Sequence, residues 1–407
     1  MHIVVHDSLA EINADQWNAL LPSNNPFMRY EFLYGLELSG CVCLERGWES
    51  SHVAIYQDDS QQQLLAAMPA YIKTHSYGEY IFDWAWADAH HRHGLDYYPK
   101  LSNAVPFTPA TGERWLVAQH MDSDLAVQLL IATYMQLVDE KNISSIHCLF
   151  TTKDQAQQLS QHDFLTRHST QFHWQNKDYA DFDEFLAGMN SKKRKNIKRE
   201  RRRVKESGIR YRWLTGSQLD ENAVNQMYAF YKRTVAMYGA QSYLNKPFFN
   251  YLADSFNQQT LFLFADYCGP VVSDSEIDGA SEDTDLAANS QVIAGGLYFK
   301  SDHPDNNTLY GRYWGALDNF HSVHFETCYY QAIDWCIQNG FQRFEAGAQG
   351  EHKLARGLEP SITYSGHWIK NRQFHKAIDE FVQSEQNHVN RYTHALQAHS
   401  PFKKVEI

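Results

Sequence analysis

Between residues 191 and 208 the chain reads SKKRKNIKRERRRVKESG, a run of Lys and Arg broken by two apolar residues, Ile197 and Val204. Seven apart, these two share one stripe of a helix, so the segment can dock along a narrow seam while its other faces keep their cations in water. Asn190 or Ser191 can cap its start and Gly208 can end it. The acidic residues of the block are too few to relieve the repulsion of like charges at helical spacing. In a chain of net charge −12, such a helix either meets an anionic partner or serves as a charged strut. The block also divides the chain into two stretches of similar plan.

At 407 residues the chain exceeds an ordinary single domain, and 43% hydrophobic residues can supply cores for two. We place a first domain at 1–180, a basic linker helix at 181–210 and a second domain at 211–407. In the first, Ser51–Gln57, Gln63–His75 and Gly78–Ala89 read as successive strands, Leu125–Asn142 as a helix, and Ser144–Phe150 and Phe164–Trp174 as two more strands. After the block the order recurs. A helix at Asn222–Tyr238 precedes strands at Leu261–Tyr267, Val292–Phe299 and Thr308–Ala316; a helix at Phe325–Asn339, closed by Gly340, precedes strands at Phe341–Ala348 and Ser361–Ile369. Each half is thus a mixed α/β unit, largely antiparallel, in which a late helix crossover makes its flanking strands parallel. The acidic segment 269–291 reads as a disordered hairpin extension without chemistry, and Phe374, Ile378, Phe381 and Val382 predict a closing amphipathic helix.

Residues able to do chemistry gather at three places. The predicted strand Leu309–Ala316 carries Tyr310, Arg312, Tyr313 and Trp314 between two glycines, Gly311 and Gly315, which suit a bulge or the close approach of another backbone or a ligand. The next strand ends as Phe344-Glu-Ala-Gly-Ala-Gln-Gly-Glu-His-Lys353, followed by Arg356 and by Tyr364, so Glu345, Lys353 and Tyr364 fall at neighbouring strand ends. A carboxylate beside a cation and a phenol could take a proton from an amine nucleophile and stabilise an oxyanion, or could form an ordinary buried ion pair. In the first half Asp83, Trp84, Trp86 and Asp88 alternate along a predicted strand, with Tyr98 and Lys100 beyond. They line either a cleft with aromatic walls or a sheet with one polar and one apolar face.

His90, His91 and His93 lie together, but the chain has no HExxH and no Cys/His pair at zinc spacing, so no metal is expected. A GxSxG elbow, a P-loop and a GxGxxG after a strand are missing too, which weighs against hydrolase, nucleotidase and dinucleotide chemistry. Six cysteines without a CxxC, a start without a secretion leader and no long apolar run lead us to expect a cytoplasmic protein with reduced thiols and no transmembrane segment.

The basic helix before a fresh domain, with VIAGGLYF, TLYGRYWGA and FETCYYQAIDWCIQNGFQRFEAGAQGEHKLARGL after it, resembles the Fem-type peptidoglycan aminoacyltransferase-like proteins. The stretches PAYIKTHSYGEYIFDWAWADA and YYPKLSNAVPFTP resemble their FemAB-like N-acyltransferase branch. This resemblance spans nearly the whole chain. It implies an α/β protein of two tandem GNAT-like folds joined by the basic helix. The implied reaction transfers an activated acyl or aminoacyl group to an amine of a small molecule or a peptidoglycan precursor. On strand-end position and residue type, Glu345 or Tyr364 would accept the amine's proton, while Lys353 and Arg356 would stabilise negative charge on the carbonyl or a phosphate. Tyr310, Arg312, Tyr313 and Trp314 would line the donor channel, and Asp83, Trp84, Asp88, Tyr98, Lys100, Gln349 and His352 complete the expected substrate contacts. No cofactor is expected to be tightly bound. The implied donor is aminoacyl-tRNA, whose phosphates Lys192, Lys193, Arg194, Lys195, Lys198 and Arg199 could contact without reading bases. Acyl-CoA is the alternative, against which stands the missing RxxGxG or QxxGxG pyrophosphate loop before Phe325–Asn339. The competing function is a non-catalytic module that recognises RNA or an anionic envelope precursor through the same helix.

Overall fold

A computed structural model describes residues 1–239, 241–269, 290–301, 307–348 and 350–403. The expected acidic extension lies almost wholly outside these residues. The first eight strands are β1 (His2–His6), β2 (Trp48–Ser50), β3 (His52–Tyr56), β4 (Leu64–Met68), β5 (Tyr71–Lys73), β6 (Lys100–Asn103), β7 (Leu116–Val117) and β8 (Ser145–Thr151). They are followed by β9 (Leu165–Gln175), β10 (Ile209–Thr215), β11 (Thr260–Tyr267), β12 (Gln291–Lys300), β13 (Thr308–Ala316), β14 (Arg343–Glu345) and β15 (Glu359–Ile369).

The chain forms two compact units, and neither is continuous in sequence. The first comprises Met1–Gln171, Tyr243–Phe248 and Ser361–Ala395; the second comprises Phe172–Ser242, Phe249–Pro360 and Leu396–Ile407. Two boundaries drawn from the sequence therefore move. The basic helix, Ser191–Glu206, lies within the second unit, and residues 361–395 belong to the first. The reason for the second change is apolar: Ile369, Ile378 and Val382 bury against Trp86, Tyr97 and Leu165.

In the first unit β1–β3–β4–β7 form an antiparallel sheet, and β15–β8–β6–β5–β2 form a second in which β6 and β8 run parallel. The crossover that this parallel pair requires is helix Ser123–Glu140, capped by Asp122, which accepts a hydrogen bond from the Leu125 N–H. Its buried stripe, including Leu130, Tyr134 and Leu137, packs on Val53 and Met68 of one sheet and on Leu101 and Ile146 of the other. The expected strand Gly78–Ala89 is not formed. Trp84–Arg92 is a helix, and the period-two alternation of Asp83, Trp84, Trp86 and Asp88 hid a helical seam whose buried residues, Trp86 and His90, are four apart.

In the second unit the strand order is β10–β11–β12–β13–β14–β9, antiparallel except for β13 and β14. These two pair only at Thr308–Tyr310 with Arg343–Glu345; β14 then ends while β13 continues to Ala316. The crossover between them starts at Val323–Phe325, passes through a π-helical turn at Glu326–Tyr330 and ends as Gln331–Gln338. Gly311 sits beside a register shift in the pairing of β12 with β13. Gly315 has a different cause, since a Cβ there would fall 2.6 Å from the Phe230 carbonyl carbon and closer to its oxygen, where helix Glu221–Met237 crosses the strand.

Candidate functional site

The basic helix begins as its sequence suggests, with Asn190 accepting from the Lys193 N–H, and buries Ile197 and Val204. Val204 packs among Ile209, Ile293 and Val323 of the second unit. Docked on that seam, Arg199, Glu200 and Arg203 line one side of a cavity of about 530 Å3. Asn319, Phe320, His321, Ser322, His324 and Phe325, the loop and first turn of the crossover, complete it. Ser322 holds a left-handed backbone (φ 64°), and its hydroxyl lies 2.7 Å from His321 Nδ1.

Glu200 does not neutralise the two arginines in this wall. Its carboxylate accepts from the Tyr330 hydroxyl and stands 3.6 Å from Arg356 Nη2. His324 is pushed down to about 4 by burial, reinforced by His352, Arg356 and Lys353, and burial also lowers His352. Near neutral pH both imidazoles are therefore uncharged, and the permanent positive charge of the lining is that of Arg199 and Arg203. Two exposed guanidiniums beside a partly enclosed space suit a phosphate.

Glu345 ends β14, where the parallel strands part. It is buried, with Arg343 Nε at 3.3 Å and His173 Nε2 at 3.9 Å, and neither of its oxygens accepts a hydrogen bond among the described residues. Lys353 is not its ion-pair partner. The Lys353 Nζ donates instead to the carbonyls of Ala346, Gly347 and Ala348 at 2.9, 2.8 and 3.2 Å, bracing the loop that follows Glu345, and burial lowers its ammonium to about 8. Tyr364 belongs to the first unit, where its backbone carbonyl accepts from the Thr151 hydroxyl and its ring meets His168 at 5.1 Å. Of the three residues expected together, the second unit holds two.

Tyr310 lies opposite Glu345 in the strand register. The Arg312 guanidinium is 5.4 Å from the Tyr313 ring, Tyr313 packs edge-on against Tyr231 at 4.9 Å, and Trp314 rests on His324 at 4.6 Å. His352 Nε2 is 2.8 Å from the Tyr329 hydroxyl; Arg356 stacks 3.4 Å from the Phe325 ring centre and donates to the His352 carbonyl. Gln349 lies outside the described residues. Of the expected polyanion contacts, Arg199 lines the cavity, Lys198 pairs with Asp183 at 2.7 Å, and Lys192 and Lys195 are exposed. Lys193 and Arg194 are partly exposed. Glu200, His321, His324 and Phe325 are not among the candidates drawn from the sequence, and Arg203 is not among the expected donor-phosphate contacts, although its four-residue step from Arg199 is the available signal.

A second polar constellation occupies the first unit. Lys100, fully buried on β6, donates to Ser76 Oγ at 2.8 Å, to Glu79 at 2.7 Å and to Asp83. The Tyr97 hydroxyl donates to Asp83 at 2.6 Å and lies 3.3 Å from His147 Nε2. His147 Nδ1 is 2.7 Å from His367 Nδ1, so one ring must donate and the other accept. Burial would raise Asp83, yet Lys100, His147 and the Tyr97 hydroxyl hold it well below the usual carboxylate range. Burial prevails at Glu79 and raises it, and it presses both histidines well below their ordinary value. The structure thus joins Asp83 to Lys100, and through Ser76, whose Oγ is 2.8 Å from the Tyr98 hydroxyl, to Tyr98. Trp84 and Asp88 remain on the exposed face of their helix.

No helix among the described residues is long and apolar enough to cross a membrane, and no group of three His, Cys, Asp or Glu side chains among them could hold a metal ion. The FemAB-like family, described as peptidoglycan biosynthesis/recognition, matches residues 8–277 and 283–404. No curated protein matches the chain. Among solved structures, FemX is similar with a TM-score of 0.51 and 11% identity, over 93% of this chain and 100% of that one. The C-terminal domain of a protein assigned as a lysylphosphatidylglycerol synthetase from Agrobacterium fabrum gives 0.51 and 8%, over 93% and 97%. A tandem GNAT protein from the clavulanic acid biosynthesis pathway gives 0.44 and 9%, over 91% and 98%.

Proposed function

Because the chain belongs to the FemAB-like family and folds as two GNAT-like α/β halves, we propose that it is an N-acyltransferase carrying an aminoacyl group from a tRNA to an amine of a peptidoglycan precursor. What carries this reading is the cavity that Arg199 and Arg203 share with the crossover loop. A phosphate of the donor binds the two guanidiniums. The exposed Lys192, Lys195, Arg202 and Lys205 continue the positive surface along the helix, which favours an extended polyanion over the compact phosphates of coenzyme A.

In the reaction the acceptor amine attacks the acyl carbonyl, a C–N bond forms and the ester C–O bond to the ribose breaks. Glu345, whose carboxylate oxygens accept no hydrogen bond among the described residues, takes the proton that the amine loses and returns it to the departing ribose oxygen. Lys353 is a positioning residue, since its three donors already fix the loop behind Glu345.

The test is thermal shift with aminoacyl-tRNA, uncharged tRNA, coenzyme A and acetyl-CoA at two salt concentrations, followed by transfer assays with a soluble peptidoglycan precursor. Charged tRNA should raise the melting temperature, Arg203→Ala should remove that shift, and Glu345→Gln should keep it while slowing transfer by about a hundredfold or more. Stabilisation by acetyl-CoA alone would assign a different donor. Equal binding of charged and uncharged tRNA without transfer would make the chain an RNA-binding module.

A further inference from the structure

Helix Trp84–Arg92 turns to water a face on which Trp84, Asp88 and Arg92 stand at four-residue steps, with Asp88 paired to Arg92. The Tyr77 ring lies 5.1 Å from that of Trp84 and 5.4 Å from that of His75. Tyr77 and Phe82 are each 58% exposed and Trp84 is 42% exposed. A contiguous group of large exposed rings marks a binding surface more often than single exposed residues do.

The backbone that carries these rings is fixed from beneath. Along 77–83 the exposed Tyr77 and Phe82 are interleaved with buried Glu79, Ile81 and Asp83, and Lys100 clasps both carboxylates. Arg167 donates to the Phe82 carbonyl at 2.9 Å and is itself gripped by both oxygens of Glu385 at 2.7 and 2.9 Å. Burying a lysine with two carboxylates seldom yields more stability than an apolar core would. Its return here is position, because rings already held outward need not be ordered by a ligand.

We propose that the row His75, Tyr77 and Trp84, with Asp88 and Arg92, binds a saccharide of the amino-sugar class. A pyranose offers an apolar C–H face to an aromatic ring, and its edge hydroxyls suit a carboxylate and a guanidinium. The Tyr77 and Trp84 rings are splayed at 59°, unlike the parallel slot that would sandwich a flat base. The choice of amino sugar rests on the acyl-transfer reading, but the platform can be tested without it.

Full-length protein is titrated with chitotriose by calorimetry, with no donor present. Saturable binding is expected, weakened about tenfold or more by Trp84→Ala and by Tyr77→Ala and kept by Trp84→Phe. Unchanged melting temperatures show that these surface variants fold. Absence of binding at millimolar chitotriose, or wild-type affinity in Trp84→Ala, overturns the proposal. Tighter binding of an oligoribonucleotide, lost in the same variants, also overturns it and assigns the rings to nucleic acid. Chitotriose binding by a protein that shows no acyl transfer would leave the platform standing and remove only the proposed reaction.

Discussion

Lys73 and Lys100 stand directly opposite each other on the antiparallel strands β5 and β6, and both are fully buried. Like charges in that register repel, and the fold answers in two ways. Glu79 and Asp83 bind Lys100, while burial, assisted by Lys100, lowers Lys73 to about 7 with its amine over the Trp48 ring. Lys73 therefore sheds its proton near neutrality and Lys100 keeps its own.

The two lysines should differ in their contribution to stability. Lys100→Met strands two buried carboxylates and is expected to cost about 3–5 kcal/mol in urea unfolding at pH 7.5. Lys73→Met replaces a nearly neutral amine with a chain of similar volume and should cost less than about 1.5 kcal/mol. Equal losses in the two variants would contradict this account of the charge balance.

Acid should weaken the second unit through His324. Its folded value of about 4 lies below the ordinary 6.5, so the unfolded chain takes up the proton first. The stability tied to this group is present above 6.5 and is lost as pH falls toward 4. His324→Gln should flatten the slope of stability against pH in that window by up to ~1.4 kcal/mol per pH unit, read from urea midpoints. A slope identical to that of the wild type would show that His324 does not titrate as its surroundings require.

Neighbouring arginines of the basic helix should separate structure from binding. Arg201 bridges Glu326 at 3.1 Å and Asp334 at 2.9 Å and lies over the Phe182 ring, whereas Arg202 is exposed. Arg201→Ala leaves the buried Glu326 without its cation and is expected to cost about 2–3 kcal/mol, while Arg202→Ala should stay within about 0.5 kcal/mol. Matching melting temperatures for the two would refute the distinction.

The sequence revealed the elements whose periodicity was unmixed. The stripe of helix Ser123–Glu140 and the seam formed by Ile197 and Val204 follow from spacing alone. Trp84–Arg92 imitates a strand because its tryptophans and acids alternate in sequence, although Trp86 and His90 carry the helical step. The pairing of Glu345 with Lys353 failed for another reason: residue type cannot show that a lysine's donors will be taken by three backbone carbonyls. Lys100 was visible as a candidate, but its partners lie seventeen and twenty-one residues earlier in the chain, beyond any local pattern.

The interrupted course of the first unit bears on how the chain is made. Strand β15 pairs with β8, and residues 361–395 cover Trp86 and Tyr97, yet a ribosome reaches them only after residues 249–360 of the other unit. At about 5–20 residues per second, the edge of β8 and the apolar seam beside Trp86 wait on the order of ten seconds or more for their partners. An unpaired edge and an uncovered seam during synthesis invite association with other nascent chains. A premature stop just before residue 361 would thus yield two unfinished units instead of one sound domain and one missing.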